Sequence, residues 1–181
     1  KTLFPYTTLF RSRLIYRSAA LAAATFSLLV LAACDPQRIS ELKEGVSTEA
    51  DVRDRFGAPE NVWDEPGGAR TFEYNRQPAG QVNYMITIGP DGRMTALRQV
   101  LTPETFARVS PGMRMDEVRR LLGKPAKVTP YELKKETWAD WRYLEAPNQS
   151  KVFTVVYGHD QFVLRTQTGA DTEAPEFKGG K

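Results

Sequence analysis

Along residues 45–59, GVSTEADVRDRFGAP, the apolar side chains Val52 and Phe56 stand four apart, as one face of a helix requires. Thr48 occupies the N-cap position, with Asp51 three residues on as its capping-box partner. Gly57 supplies a left-handed terminus, and Pro59 prevents continuation. Residues 112–125, GMRMDEVRRLLGKP, say nearly the same again. Met115, Val118, Leu121 and Leu122 form the apolar stripe, and Gly123 and Pro125 stop it. Arg114 takes the cap position, a weaker start, although Asp116 and Glu117 suit the helix dipole. The likeness extends further along the chain. Ile39-x-x-Leu42-x-x-Gly45 is answered by Phe106-x-x-Val109-x-x-Gly112 at an offset of 67, and Gly57 and Pro59 by Gly123 and Pro125 at 66. The first copy holds one extra residue between its glycine and its helix.

After each helix the period changes from 3.6 to two. Phe72 and Tyr74 alternate within residues 70–75, and Trp141 and Tyr143 within 139–144. Residues 82–88 and 151–157 follow, rich in β-branched and aromatic side chains. Each leads through a turn, residues 89–92 (GPDG) and 158–161 (GHDQ), into a third strand. The loops at residues 63–69 and 145–150 read as hairpin connections. The predicted class is α+β, with two tandem helix-helix-strand-strand-strand units over residues 34–102 and 103–168 and antiparallel sheets. Residues 169–181 are polar, without period, and read as a disordered tail.

The N-terminal residues change the picture of charge and location. Residues 1–12 read as the translation of a short-read sequencing adapter and are set aside. Arg13 and Arg17 then precede an unbroken apolar and small run from Ala19 to Ala33, short of the roughly 20 residues that span a bilayer. Residues 13–33 therefore read as a secretory signal. The run ends in Leu31-Ala32-Ala33-Cys34, which resembles the bacterial lipobox. That resemblance implies cleavage after Ala33 and acylation of Cys34, with membrane lipid as a partner; two or three acyl chains anchor a domain where one is marginal. Of the 25 basic residues, Lys1, Arg11, Arg13 and Arg17 precede Cys34, and none of the 22 acidic residues does, which leaves 21 against 22 and a net charge of −1. No basic stripe of the kind that tracks phosphates remains, so nucleic acid is not an expected partner.

Cys34 is the only cysteine and His159 the only histidine, so no metal, no other cofactor and no Cys/His nucleophile is expected. The helix carboxylates Asp51, Asp54, Asp116 and Glu117 sit among arginines, as solvated mixed-charge faces do. No phosphate loop, G-x-S-x-G elbow or H-E-x-x-H appears. The expectation is a protein that is not an enzyme. Trp141 reads as core; Trp63 and Trp138, near predicted loops and strands, are the candidate partner-binding anchors.

A lipobox followed by a Gly-[Met/Val]-x-x-x-[Glu/Asp]-Val-x-x-x-x-Gly-x-Pro helix and a three-stranded sheet resembles the SmpA/OmlA family of envelope lipoproteins, here in two copies. The tandem also resembles the paired-repeat architecture of β-lactamase inhibitory proteins. The first resemblance implies a non-catalytic accessory or scaffold factor in outer-membrane protein assembly or envelope integrity, with protein partners in the assembly machinery. The alternative is a periplasm-facing inhibitor or ligand-binding module that uses the paired sheets. Family analogy implies the outer membrane, whereas Asp35 after the lipidated cysteine resembles an inner-membrane retention signal.

Overall fold

In the computed structural model, which describes residues 39–174, both repeated segments are helical and stop where the sequence places their punctuation. Helix α1 spans Glu49–Phe56, with the side chains of Thr48 and Asp51 capping each other's backbone N–H. The equivalent helix, α3, spans Met115–Leu122. Its Arg114 side chain caps nothing; only the reciprocal half of the box is present, Arg114 N–H donating to Glu117 at 2.6 Å. Both helices end on glycines with positive φ, Gly57 (+82°) and Gly123 (+76°), whose N–H groups return to Arg53 and Arg119. A short helix, α2, spans Pro103–Phe106.

Two four-stranded antiparallel sheets make up the rest of the described architecture, so the class is α+β. The first holds β1 (Asn61–Asp64), β2 (Arg70–Asn75), β3 (Asn83–Ile88) and β4 (Met94–Gln99) in sequential order. The second holds β5 (Lys127–Tyr131), β6 (Glu136–Glu145), β7 (Gln149–Gly158) and β8 (Val163–Ala170) in the same order. Each sheet thus has one strand more than the three expected. The additions, β1 and β5, are short edge strands that alternate weakly; β5 carries Pro130, which an edge tolerates because one side of the strand donates to no ladder. The tail also differs from expectation. Gly169 and Ala170 close β8, Asp171 and Ala174 are buried, and Asp171 O–δ2 accepts from Arg142 Nε at 2.6 Å.

The first glycine of each repeated segment has a structural task. Gly45 (φ +75°) donates its N–H to Met94 O at 2.7 Å, and Met94 N–H returns to Ser47 O at 2.8 Å. Gly112 (φ +88°) donates to Val163 O, and Val163 returns to Met113 O, both at 2.8 Å. Each helix start is therefore pinned to the first residue of the last strand of its sheet. The extra residue of the first copy lies inside this tie, between the glycine and the returning bond.

Helix α1 buries Val52 and Phe56 against the first sheet, with the Phe56 ring 4.9 Å from Tyr74 and 5.3 Å from Tyr84. Helix α3 lays Val118 and Leu122, both fully buried, against Ala139, Trp141, Tyr143 and Val155 of the second sheet. Burial of this kind contributes about 1.5–3 kcal/mol per side chain. The same core takes in Met85 and Val100 from the first half of the chain. The first sheet therefore carries protein on both faces.

Candidate functional site

Trp138 lies on β6, on the face of the second sheet opposite to the buried Trp141 and Tyr143. Its register row continues through Thr129 on β5, Val156 on β7 and Arg165 on β8. The half-buried indole donates its N–H to Glu136 Oε2 at 2.9 Å. Arg165 holds the same carboxylate in a fork, at 2.8 and 3.1 Å. The Arg165 fork and the Trp138 hydrogen bond lower the Glu136 carboxyl to about 2. Tyr131, 39% exposed, stacks at 4.9 Å on Trp138 in a tilted pair, and the Lys134 ammonium stands 5.7 Å from the Trp138 ring. Beside them, Leu133 at the tip of the β5–β6 turn is fully exposed. The result is a braced aromatic platform with an apolar tip, the kind of fixed, low-entropy surface on which interface anchors are built.

A groove of about 690 Å³ runs from this platform along the same sheet face. Trp138, Asp140, Arg142, Thr154 and Gln167 line it, and residues 171–173 form its rim. Thr154 donates its hydroxyl to Asp140 at 2.6 Å. Arg142 is committed to Asp171 and to the carbonyl of Pro78 at 2.9 Å. The polar groups are thus held in fixed positions by one another.

Trp63, the other expected anchor, sits differently. On β1 it is half-buried at the junction of the two halves, its indole N–H directed at Glu73 Oε2 at 3.3 Å and its face covered by the Arg120 guanidinium at 4.7 Å. Its contacts brace the first sheet against α3. Glu73 is fully buried although the strand alternation points it outward. Its Oε1 accepts from Asn75 Nδ2 at 2.8 Å, from Lys124 N–H at 2.9 Å and from Arg119 at 3.4 Å. Asn83, also fully buried, donates to the carbonyls of Leu122 and Lys124 at 2.8 and 3.1 Å. Trp141 takes the carbonyl between them, Gly123 O, at 3.0 Å. The otherwise orphaned carbonyls at the end of α3 are satisfied from both sheets.

Cys34, Ala33 and Asp35 lie outside the described residues. Among the described residues no helix is long and apolar enough to cross a membrane, and no three His, Cys, Asp or Glu side chains gather as metal ligands. Reading the sequence picks out Trp138 but misses Tyr131, Glu136 and Arg165, which give it its geometry. Those residues belong to three different strands, and only the pairing register brings them together.

No protein-family model matches the chain, and comparison with curated proteins finds no match. Two solved structures are similar. One is a DUF4309 family protein, YjgB, from Bacillus subtilis subsp. subtilis str. 168, at 23% identity over 75% of this chain and 86% of that one, with a TM-score of 0.30. The other is a "putative beta-lactamase inhibitor protein" from Streptococcus mutans, at 11% identity over 68% of this chain and 82% of that one, with a TM-score of 0.33. At such scores neither likeness bears on what this chain does.

Proposed function

We propose that the mature chain is a non-catalytic binding module of the cell envelope, held to a membrane through acylated Cys34 and facing the periplasm. On this reading it is a two-copy relative of the SmpA/OmlA family, an accessory or scaffold factor in outer-membrane protein assembly or envelope integrity. The paired glycine ties at Gly45 and Gly112 support an internal duplication. The observation that carries a binding role is the Trp138 platform, where Tyr131, Glu136 and Arg165 fix an aromatic surface beside the exposed Leu133. Such an arrangement serves a partner; nothing in the fold of the second sheet requires Leu133 to be apolar.

The test is crosslinking from native membranes with the lipid anchor retained, comparing wild type with Trp138→Ala. Expected is a discrete envelope partner lost in the variant, whose truncation removes about 2 kcal/mol or more of binding. Equal recovery of partners by both proteins, or unchanged outer-membrane protein levels after deletion of the gene, would sink the reading. The groove of about 690 Å³ beside the platform favours a second reading, a periplasmic inhibitor that takes a loop of an enzyme along the sheet. Turnover of periplasmic hydrolases in the presence of the chain decides between the two.

A further inference from the structure

At least eight arginines among the described residues stand within 4.0 Å of a carboxylate. Arg98, Arg108 and Arg120 form no ion pair with any described residue, and all three line one cleft of about 660 Å³. It lies between the face of the first sheet that carries Thr71, Met85 and Thr87 and the helices beside it, with Thr105 on α2, Arg108 in the turn after α2 and Arg120 on α3. Glu65 is the single acidic residue in its lining. On the floor, the Thr71 and Thr87 hydroxyls are 3.2 Å apart. Whichever donates, the other keeps a hydrogen to offer a ligand. All three arginines are exposed, so the cluster is open to a visitor.

Three like charges around one cleft repel one another, a cost that a bound anion removes. Guanidinium forks match carboxylates two bonds at a time. The rest of the surface argues against a bilayer as the source of that anion. The mature chain carries a net charge of −1, which gives no long-range attraction to an anionic leaflet. None of the large exposed hydrophobic side chains lines the cleft, so none stands ready to enter lipid there. We propose that the cleft recognises an acidic segment of a partner protein, two or more of whose carboxylates are taken by Arg98, Arg108 and Arg120. This site is separate from the Trp138 platform and stands or falls without it.

The cleft has a reporter at its border, because Arg120 of its lining covers the Trp63 ring at 4.7 Å. The full mature chain is titrated with a hexapeptide of alternating Glu and Gly, and with its Gln counterpart, by tryptophan fluorescence and calorimetry. The acidic peptide is expected to bind and to shift the Trp63 emission, more weakly as salt rises. Arg98→Gln with Arg108→Gln is expected to weaken it by roughly tenfold, two exposed charge contacts acting together. Glu65→Gln is expected to tighten it, and Trp138→Ala to leave it unchanged. Thermal midpoints of the double variant check its fold independently. Equal binding of the Gln peptide, displacement of the acidic peptide by equimolar inorganic phosphate, or capture by phosphatidylglycerol vesicles through the same arginines would each overturn the proposal.

Discussion

Gln161 adopts φ +65° in the turn between β7 and β8, at the position that Gly92, φ +76°, occupies between β3 and β4. A left-handed conformation costs a side-chain-bearing residue about 1 kcal/mol, so the two turns predict opposite substitutions. Gln161→Gly stabilises and Gly92→Ala destabilises, each by about 1 kcal/mol, read from urea midpoints at unchanged slope. Glu136 makes a second prediction at this scale. Its carboxyl is lowered from 4.5 to about 2 by Arg165 and Trp138, so its contribution is present above about 4.5 and is lost as pH falls toward 2. Trp138 emission is expected to change across that window, and Glu136→Gln to remove the step; an identical acid titration in the variant would refute it.

Helix α3 is held at its end by an element of the other sheet. Asn83→Ala leaves the carbonyls of Leu122 and Lys124 without their donor, at a cost of about 3 kcal/mol in unfolding free energy. A side chain at Gly123 is strained by its φ of +76°, and its Cβ would stand 2.6 Å from Asn75 Oδ1 and 3.0 Å from Asn83 Nδ2, so this network must shift to admit one. The helices and long strands were legible in the sequence because Val52, Phe56, Val118 and Leu122 keep one period and Phe72, Tyr74, Trp141 and Tyr143 another. Glu73 and Asn83 were not. Alternation assigns them to a solvent face, and only the docking of α3 converts that face into an interior. The short strands β1 and β5 were hidden for a related reason: an edge of four or five residues shows too few alternations to register. For the Trp138 platform, sequence identified the anchor, while its brace depends on cross-strand register that no local pattern encodes.

Across the molecule, the first half reaches the second through its β2–β3 loop as well. Gln77 exchanges two hydrogen bonds with the Arg142 backbone at 2.7 and 3.3 Å, while the Arg142 side chain spans Pro78 and the buried Asp171. Asp171→Ala leaves a largely buried guanidinium without its carboxylate, with only the Pro78 carbonyl remaining, and is expected to cost about 3 kcal/mol. An unchanged denaturation midpoint would mean that residues 171–174 add nothing to the fold. The grip of Asn83 and Glu73 on Leu122–Lys124 has a consequence in time. A chain made from its N-terminus completes the first sheet at Gln99, before Leu122 and Lys124, whose backbone groups those side chains bind, have been added. Until they arrive, the sheet waits with a row of polar side chains that only a later segment can satisfy. A ribosome-bound intermediate cut after Val100 should therefore remain open to protease, and protection should appear once α3 has emerged and docked.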